Sequence, residues 1–151
     1  MGRAETWLGS LVAPHERFYL VANSEDILQS LIERAAKIGY EQQIEVAFIV
    51  KEVNGKKIGK PDVDKFRSAL GDFTIMDIRN PSETNEKKIF KNAVQIPLFE
   101  LKDRINEIPT DKPIVVHCAA GYRSAAGASI IKNFLKNDTE VFDLGEAVKT
   151  F

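Results

Sequence analysis

Ile114-Val-Val-His117, then Cys118-Ala-Ala-Gly-Tyr-Arg-Ser124, then Ala125-Ala-Gly-Ala128, is the stretch on which the fold turns. Ile114 to Val116 is a continuous apolar, β-branched run, suited to a strand buried on both faces of a parallel sheet. The small residues from Ala125 to Ala128, followed by Ile130, Ile131, Phe134 and Leu135, make a helix that can approach a sheet closely and bury one face. Gly127 inside that helix costs about 0.8–1 kcal/mol relative to Ala, which close packing offsets. Glu140-Val-Phe142 reads as the next strand. Strand, loop, helix and strand make a β-α-β unit, the building block of parallel sheets.

The loop between strand and helix is where open α/β sheets bind their ligands. Amide groups ahead of a helix have no intrahelical partner. Curled round a common centre they form an anion nest, and the helix dipole adds about half a positive charge. Arg123 adds a full charge, Gly121 suits a turn with positive φ, and Ser124 is placed to cap a helix starting six residues after Cys118. Such surroundings favour the thiolate of Cys118, the nucleophilic form. His117 precedes the nucleophile on the strand, so its side chain points to the opposite face and its role is structural. His15 lies in a polar stretch and reads as surface.

Working outward, a second β-α-β pattern precedes the first by about a hundred residues: Phe18–Ala22, Asn23-Ser24, an amphipathic stretch from Glu25 to Ile38, and Ile44-Glu-Val46, followed by apolar Ala47–Val50. Asn54-Gly55 signals a tight turn, and a boundary falls near Gly55–Pro61. After it come a helix from Asp62 carrying Phe66 and Leu70, a strand over Phe73–Ile78, a break at Asn80-Pro81 with irregular chain beyond, and a helical face made by Leu101, Ile105 and Ile108. The fold class expected is α/β, a mainly parallel sheet flanked by helices.

Composition narrows the function. The 151 residues hold 21 Lys and Arg against 22 Asp and Glu, a formal net charge of −1. That balance argues against a nucleic-acid or anionic-membrane partner, and no apolar run approaches the roughly 18 residues of a membrane helix. One cysteine excludes an intrachain disulfide and a Cys/His zinc cluster. A lone thiol is at home in a reducing compartment, so a cytoplasmic location is expected. No metal and no cofactor are implied.

Cys118-Ala-Ala-Gly-Tyr-Arg-Ser124 resembles the C-x-x-G-x-R-[ST] active-site loop of rhodanese (sulfurtransferase) domains. Asp77-Ile-Arg79 followed by Glu83 is similar to the family's D-x-R-x-x-x-E signature, Asn92-Ala93-Val-Gln-Ile-Pro97 to its G-A-x-x-I-P segment, and Leu144-Gly145-Glu-Ala147 to its closing G-G-x-x-A-W stretch. The chain departs from the family at Thr84, where an aromatic is usual, at Lys87-Lys88-Ile89, and at the final Trp, replaced by Phe151 or absent. The resemblance places a rhodanese domain over 62–151 with an active-site loop at 118–123. It implies a sulfurtransferase that moves sulfane sulfur from thiosulfate or a persulfide to a thiol or cyanide through a Cys118 persulfide. Cys118 and Arg123 are then catalytic, Ala119, Ala120, Gly121, Tyr122 and Ser124 bind substrate, and Asp77 and Arg79 pair to brace the loop.

Trp7-Leu-Gly-Ser-Leu-Val12, Phe18–Ala22 and Ala35-Ala-Lys-Ile-Gly-Tyr40 resemble the second half of a degenerate rhodanese domain. Residues 1–55 are accordingly expected to be a partial copy of the same fold, with Val21 or Ala22 where the nucleophile would stand. Such halves occur in fusions of a metallo-β-lactamase-fold domain with tandem rhodanese domains. The resemblance thus implies a persulfide dioxygenase domain of that fold as a partner in the same or a neighbouring polypeptide.

Two other readings compete. A Cys-dependent phosphatase or arsenate reductase also sets Cys and Arg round an anion nest, but typically with five intervening residues; here there are four, Ala119 to Tyr122. The second is a non-catalytic persulfide carrier or interaction module whose partner lies elsewhere in a fusion, against which the intact Cys118 and Arg123 count.

Overall fold

The computed structural model describes residues 4–52, 57–135 and 139–151. The chain divides into two compact units, Met1–Lys56 and Lys57–Phe151. The turn expected at Asn54-Gly55 lies outside the described residues.

In the first unit, helix α1 (Ala4–Leu11) precedes strand β1 (Phe18–Ala22), helix α2 (Glu25–Ala36) and strand β2 (Ile44–Ile49). The two strands run parallel, with Tyr19 opposite Val46 and Val21 opposite Phe48. Ser24 caps α2, its hydroxyl accepting from the Ile27 amide, and Glu25 and Asp26 occupy the first turn, where carboxylates suit the helix dipole. Tyr40 ties the returning chain back, its hydroxyl donating to the Val12 carbonyl at 3.1 Å.

In the second unit, helix α3 (Val63–Ser68) leads into strand β3 (Thr74–Asp77), helix α4 (Pro81–Glu86), strand β4 (Val94–Gln95), strand β5 (Ile114–His117), helix α5 (Tyr122–Phe134) and strand β6 (Val141–Asp143). The strands order as β4-β3-β5-β6, every pairing parallel. Every residue of β3 and β5 is buried, the pattern of central strands covered on both faces. On one face Ile75 and Val115 pack with Phe66, Phe90, Leu144 and Val148. Phe66 makes edge-on contacts with Phe73, Phe90 and Phe151, at centroid separations of 5.3–5.6 Å. Such pairs add about 0.5–1.5 kcal/mol each beyond area burial. On the other face α5 lies close, because Gly127 presents no side chain: a Cβ there would sit 2.6 Å from the Ile78 Cδ1 and 3.6 Å from the Val116 Cγ1.

Three sequence expectations are corrected. The segment beyond Asn80-Pro81 is not irregular: Pro81 opens α4, and Glu83 reaches back to the Asn80 amide at 3.0 Å, as in a capping box. Leu101, Ile105 and Ile108 are buried, but not on one helix: Leu101 and Ile108 end the separate short 3-10 turns Leu98–Glu100 and Ile105–Glu107, and Ile105 opens the second. Spacings of three and four residues fit successive turns as well as an α-helix over so short a stretch. Leu70 does not share the buried face of Phe66: α3 stops at Ser68 and Leu70, 38% exposed, belongs to a following 3-10 turn.

Candidate active site

The site grows from the carboxyl ends of β3 and β5. β5 ends at His117, and Cys118 opens a short loop that turns at Gly121 into α5. Gly121 has φ +94°, a conformation that disfavours a side chain, and a Cβ at that position would meet the backbone of Gly145 and Glu146 at 2.9–3.0 Å. The closing segment after β6 is therefore pressed against the Cys118 loop. Gly145 itself turns at φ +57° with its amide held by the Asp143 carboxylate at 2.9 Å.

That turn aims the Gly121 amide at the Cys118 Sγ, 3.1 Å away. Cys118 is 1% exposed. Ala119 is exposed, Ala120 half-buried and Tyr122 66% exposed at the first residue of the helix. Helix α5 thus begins at Tyr122, not after Ser124. Ser124 is not the cap: it lies in the first turn, fully buried, and its hydroxyl donates to the Gly121 carbonyl at 2.9 Å. The Gly121 position carries no side-chain cap, and the first turn of α5 holds no acidic residue, which leaves the amide end of the helix for the sulfur.

Arg123 does not present its charge alone. Its guanidinium donates to both carboxylate oxygens of Glu83, at 2.6 and 2.7 Å. Glu83 raises the Arg123 pKa against the opposing cost of burial, with smaller contributions from the Cys118 side chain by charge and by hydrogen bonding. The same contact holds the Glu83 carboxyl below its usual range, helped by the Asn80 amide. In the sequence Glu83 stands out only as the last letter of the D-x-R-x-x-x-E resemblance. Its capping-box position, three residues after Asn80 and two after Pro81, was the signal that places it at a helix start.

Asp77 and Arg79 meet as a buried pair. Arg79 donates through Nε and Nη2 to the Asp77 carboxylate, the shortest contact being 2.6 Å, and its Nη2 also donates to the Lys87 carbonyl at 2.9 Å. Asp77 is the register partner of His117 across the β3–β5 ladder, so the pair stands beside the strand that delivers Cys118. His117 is fully buried against the edge of Phe90, ring centroids 4.9 Å apart, with its Nε2 3.8 Å from Asp77. Desolvation lowers its pKa to about 4, outweighing the attraction of Asp77. The ring is neutral near pH 7 and packs on the face opposite α5.

A parallel α/β domain thus holds a cysteine at the carboxyl end of a central strand, a glycine turn that points an amide at its sulfur, and an arginine in the first helical turn. The chain belongs to the rhodanese-like domain family, whose model matches residues 62–149. It is 37% identical over 82 residues to the YqhL protein of Bacillus subtilis, covering 54% of this chain and 62% of that one. It is 28% identical over 122 residues to a tRNA sulfurtransferase of Actinobacillus succinogenes, covering 78% of this chain and 23% of that one. The chain thus spans under two thirds of the length of these relatives. Among solved structures it is similar in fold to a human single-domain sulfurtransferase, with a TM-score of 0.51 at 15% identity, covering 60% of this chain and 94% of that one. The human protein shares the fold; the family match and the sulfurtransferase relative support sulfur transfer as the general chemistry.

Proposed function

We propose that the protein is a sulfurtransferase working through a persulfide on Cys118. The Cys118 thiolate attacks the outer sulfur of a donor. With thiosulfate the S–S bond breaks, sulfite leaves with the bonding pair, and Cys118 keeps the sulfur as a persulfide. With a low-molecular-weight persulfide, the outer sulfur and its proton pass to Cys118 and a thiolate leaves. A thiol or cyanide then attacks the terminal sulfur and returns the Cys118 thiolate, a two-step scheme. The loop amides stabilise the anion on sulfur as an oxyanion hole stabilises one on oxygen. The observation that carries this reading is the 3.1 Å contact from the Gly121 amide to the Cys118 Sγ at an uncapped helix end.

The donor is read from the same loop. Ala119 and Ala120 add no charge, and exposed Tyr122 offers a ring to a bulkier partner. Thiosulfate turnover is therefore measurable but modest, and small-molecule or protein persulfides are preferred. The reading extends to a cytoplasmic setting beside a persulfide-oxidising domain of metallo-β-lactamase fold. It includes the first unit as a partial copy of the fold without a nucleophile, supported by the parallel β1-α2-β2 order. The test compares kcat/KM for thiosulfate and glutathione persulfide under one set of conditions, with Cys118→Ser as the blank. A clear thiosulfate preference would refute the donor assignment; activity surviving in Cys118→Ser would refute the nucleophile.

A further inference from the structure

We propose that Glu83, acting through Arg123, sets the charge of the Cys118 site and makes it select against sulfur donors that carry multiple negative charge close to the transferred atom. The proposal deepens the sulfurtransferase reading and, for its donor part, rests on it.

Five charged side chains gather at this end of the sheet, and one of them, Asp143, spends its carboxylate on the Gly145 amide at 2.9 Å. Asp77 and Arg79 neutralise each other within a buried bidentate pair. Glu83 and Arg123 do the same, both guanidinium nitrogens at the tip of Arg123 being taken by the two carboxylate oxygens. Arg123 is 5% exposed, so its charge reaches the sulfur through a low-dielectric wall, but always with its counter-charge attached. His117 is fully buried and adds no full charge while it is neutral. What faces an anion at the sulfur is the partial charge of the α5 amino end, the Gly121 amide and the Arg123 guanidinium, whose charge Glu83 offsets. That suits one negative charge spread over a persulfide. It suits a dianion poorly, since the second charge finds no partner.

Glu83 is held where it must be for this role. Its Oε2 accepts from the Asn80 amide at 3.0 Å while also meeting Arg123, so the start of α4 fixes the carboxylate beside the start of α5. The arginine keeps its place against Cys118 while Glu83 offsets its charge.

The test is Glu83→Gln, with Glu83→Asp as the charge-conserving variant, in the full chain. Cys118 is the one cysteine, so its alkylation by iodoacetate, an anion, and by iodoacetamide, a neutral reagent of similar size, reports the field at the sulfur whether or not sulfur is transferred. Glu83→Gln is expected to raise the iodoacetate to iodoacetamide rate ratio by about tenfold at low salt, for one unit charge unmasked at short range in a partly solvated wall. The gain shrinks as ionic strength rises, and Glu83→Asp stays within about twofold of wild type. In turnover, the thiosulfate to glutathione persulfide ratio of kcat/KM rises in the same variant; this second ratio decides wherever the buried thiol alkylates too slowly to follow. An unchanged ratio in Glu83→Gln overturns the proposal, as does an equal rise in Glu83→Asp, which would mark a loosened loop rather than a charge. A shifted alkylation ratio in a protein that moves no sulfur would leave the charge-setting role standing and sink the sulfurtransferase reading instead.

Discussion

The two parallel β-α-β crossovers, β1-α2-β2 and β5-α5-β6, differ most where strand hands over to helix. After β1 the connection is Asn23-Ser24: the Ser24 hydroxyl takes an amide of the first turn, and Glu25 and Asp26 offset the helix dipole. That helix end is satisfied from within and repels anions. After β5 the connection is longer, the cap position is Gly121 with no side chain, no acid follows, and the amide points at Cys118. The same architecture is thus closed in one copy of the motif and left open in the other, and the difference lies in a few residues of cap chemistry rather than in topology. The sheets differ too. β3 and β5 are buried throughout, whereas Tyr19, Val21, Val46 and Phe48 of the first unit are each more than 40% exposed.

The largest expected effect comes from filling the open turn. Gly121→Val asks a β-branched residue to hold φ +94° with a Cβ overlapping the Gly145–Glu146 backbone. Strain and overlap together cost on the order of 3 kcal/mol or more, and sulfur transfer is lost with the loop geometry. Denaturant titration monitored on the second unit, beside an activity assay, reads both. A gain in stability would show that the closing segment does not press on the loop as described.

Next is acid. His117 has a folded pKa of about 4 against 6.5 unfolded. Below pH 6.5 the unfolded chain takes up a proton that the folded protein refuses. The full stability is present above pH 6.5 and falls as pH drops toward 4, by up to about 3 kcal/mol. Carboxylates such as Glu83, lowered by Arg123, lose their contribution at still lower pH. His117→Leu isolates the histidine: its stability is expected to vary less than that of wild type between pH 6.5 and 4, whatever its absolute value. Parallel curves would remove His117 as the acid-sensitive group.

The smallest effect tests the closed copy. Ser24→Ala removes the hydroxyl that accepts from Ile27 and is expected to cost about 1 kcal/mol locally. Hydrogen exchange at the amides of the first α2 turn should quicken while turnover at Cys118 stays unchanged. No change in exchange would mean that the long 3.4 Å contact contributes little.

Much of this contrast could be read from residue order alone. The continuous Ile114–Val116 run, the Cys-to-Arg spacing and the small residues of α5 pointed to a parallel sheet with a nucleophile at its carboxyl end. Asp77 and Arg79, two apart, were close enough along the chain to suggest a pair. The Glu83–Arg123 pair was not legible, because its partners lie 40 residues apart and only the folded sheet sets α4 beside α5. The start of α5 was misplaced for a local reason: Ser124 has the chemistry of a cap, but the left-handed glycine before Tyr122 had already turned the chain into the helix. Asn80-Pro81 is the converse case: a proline breaks a helix interior but fits a first helical turn, and Pro81 is the first residue of α4.

The open helix end matters only if sulfur comes to rest on Cys118. The most direct measurement is the intact mass of the protein after incubation with glutathione persulfide, and separately with thiosulfate, followed by removal of the donor. A gain of one sulfur, about 32 Da, located at Cys118, reversed by cyanide or a thiol and absent in Cys118→Ser, is the expected result. An unchanged mass after both donors, in protein whose Cys118 is shown to be reduced and folded, would contradict it.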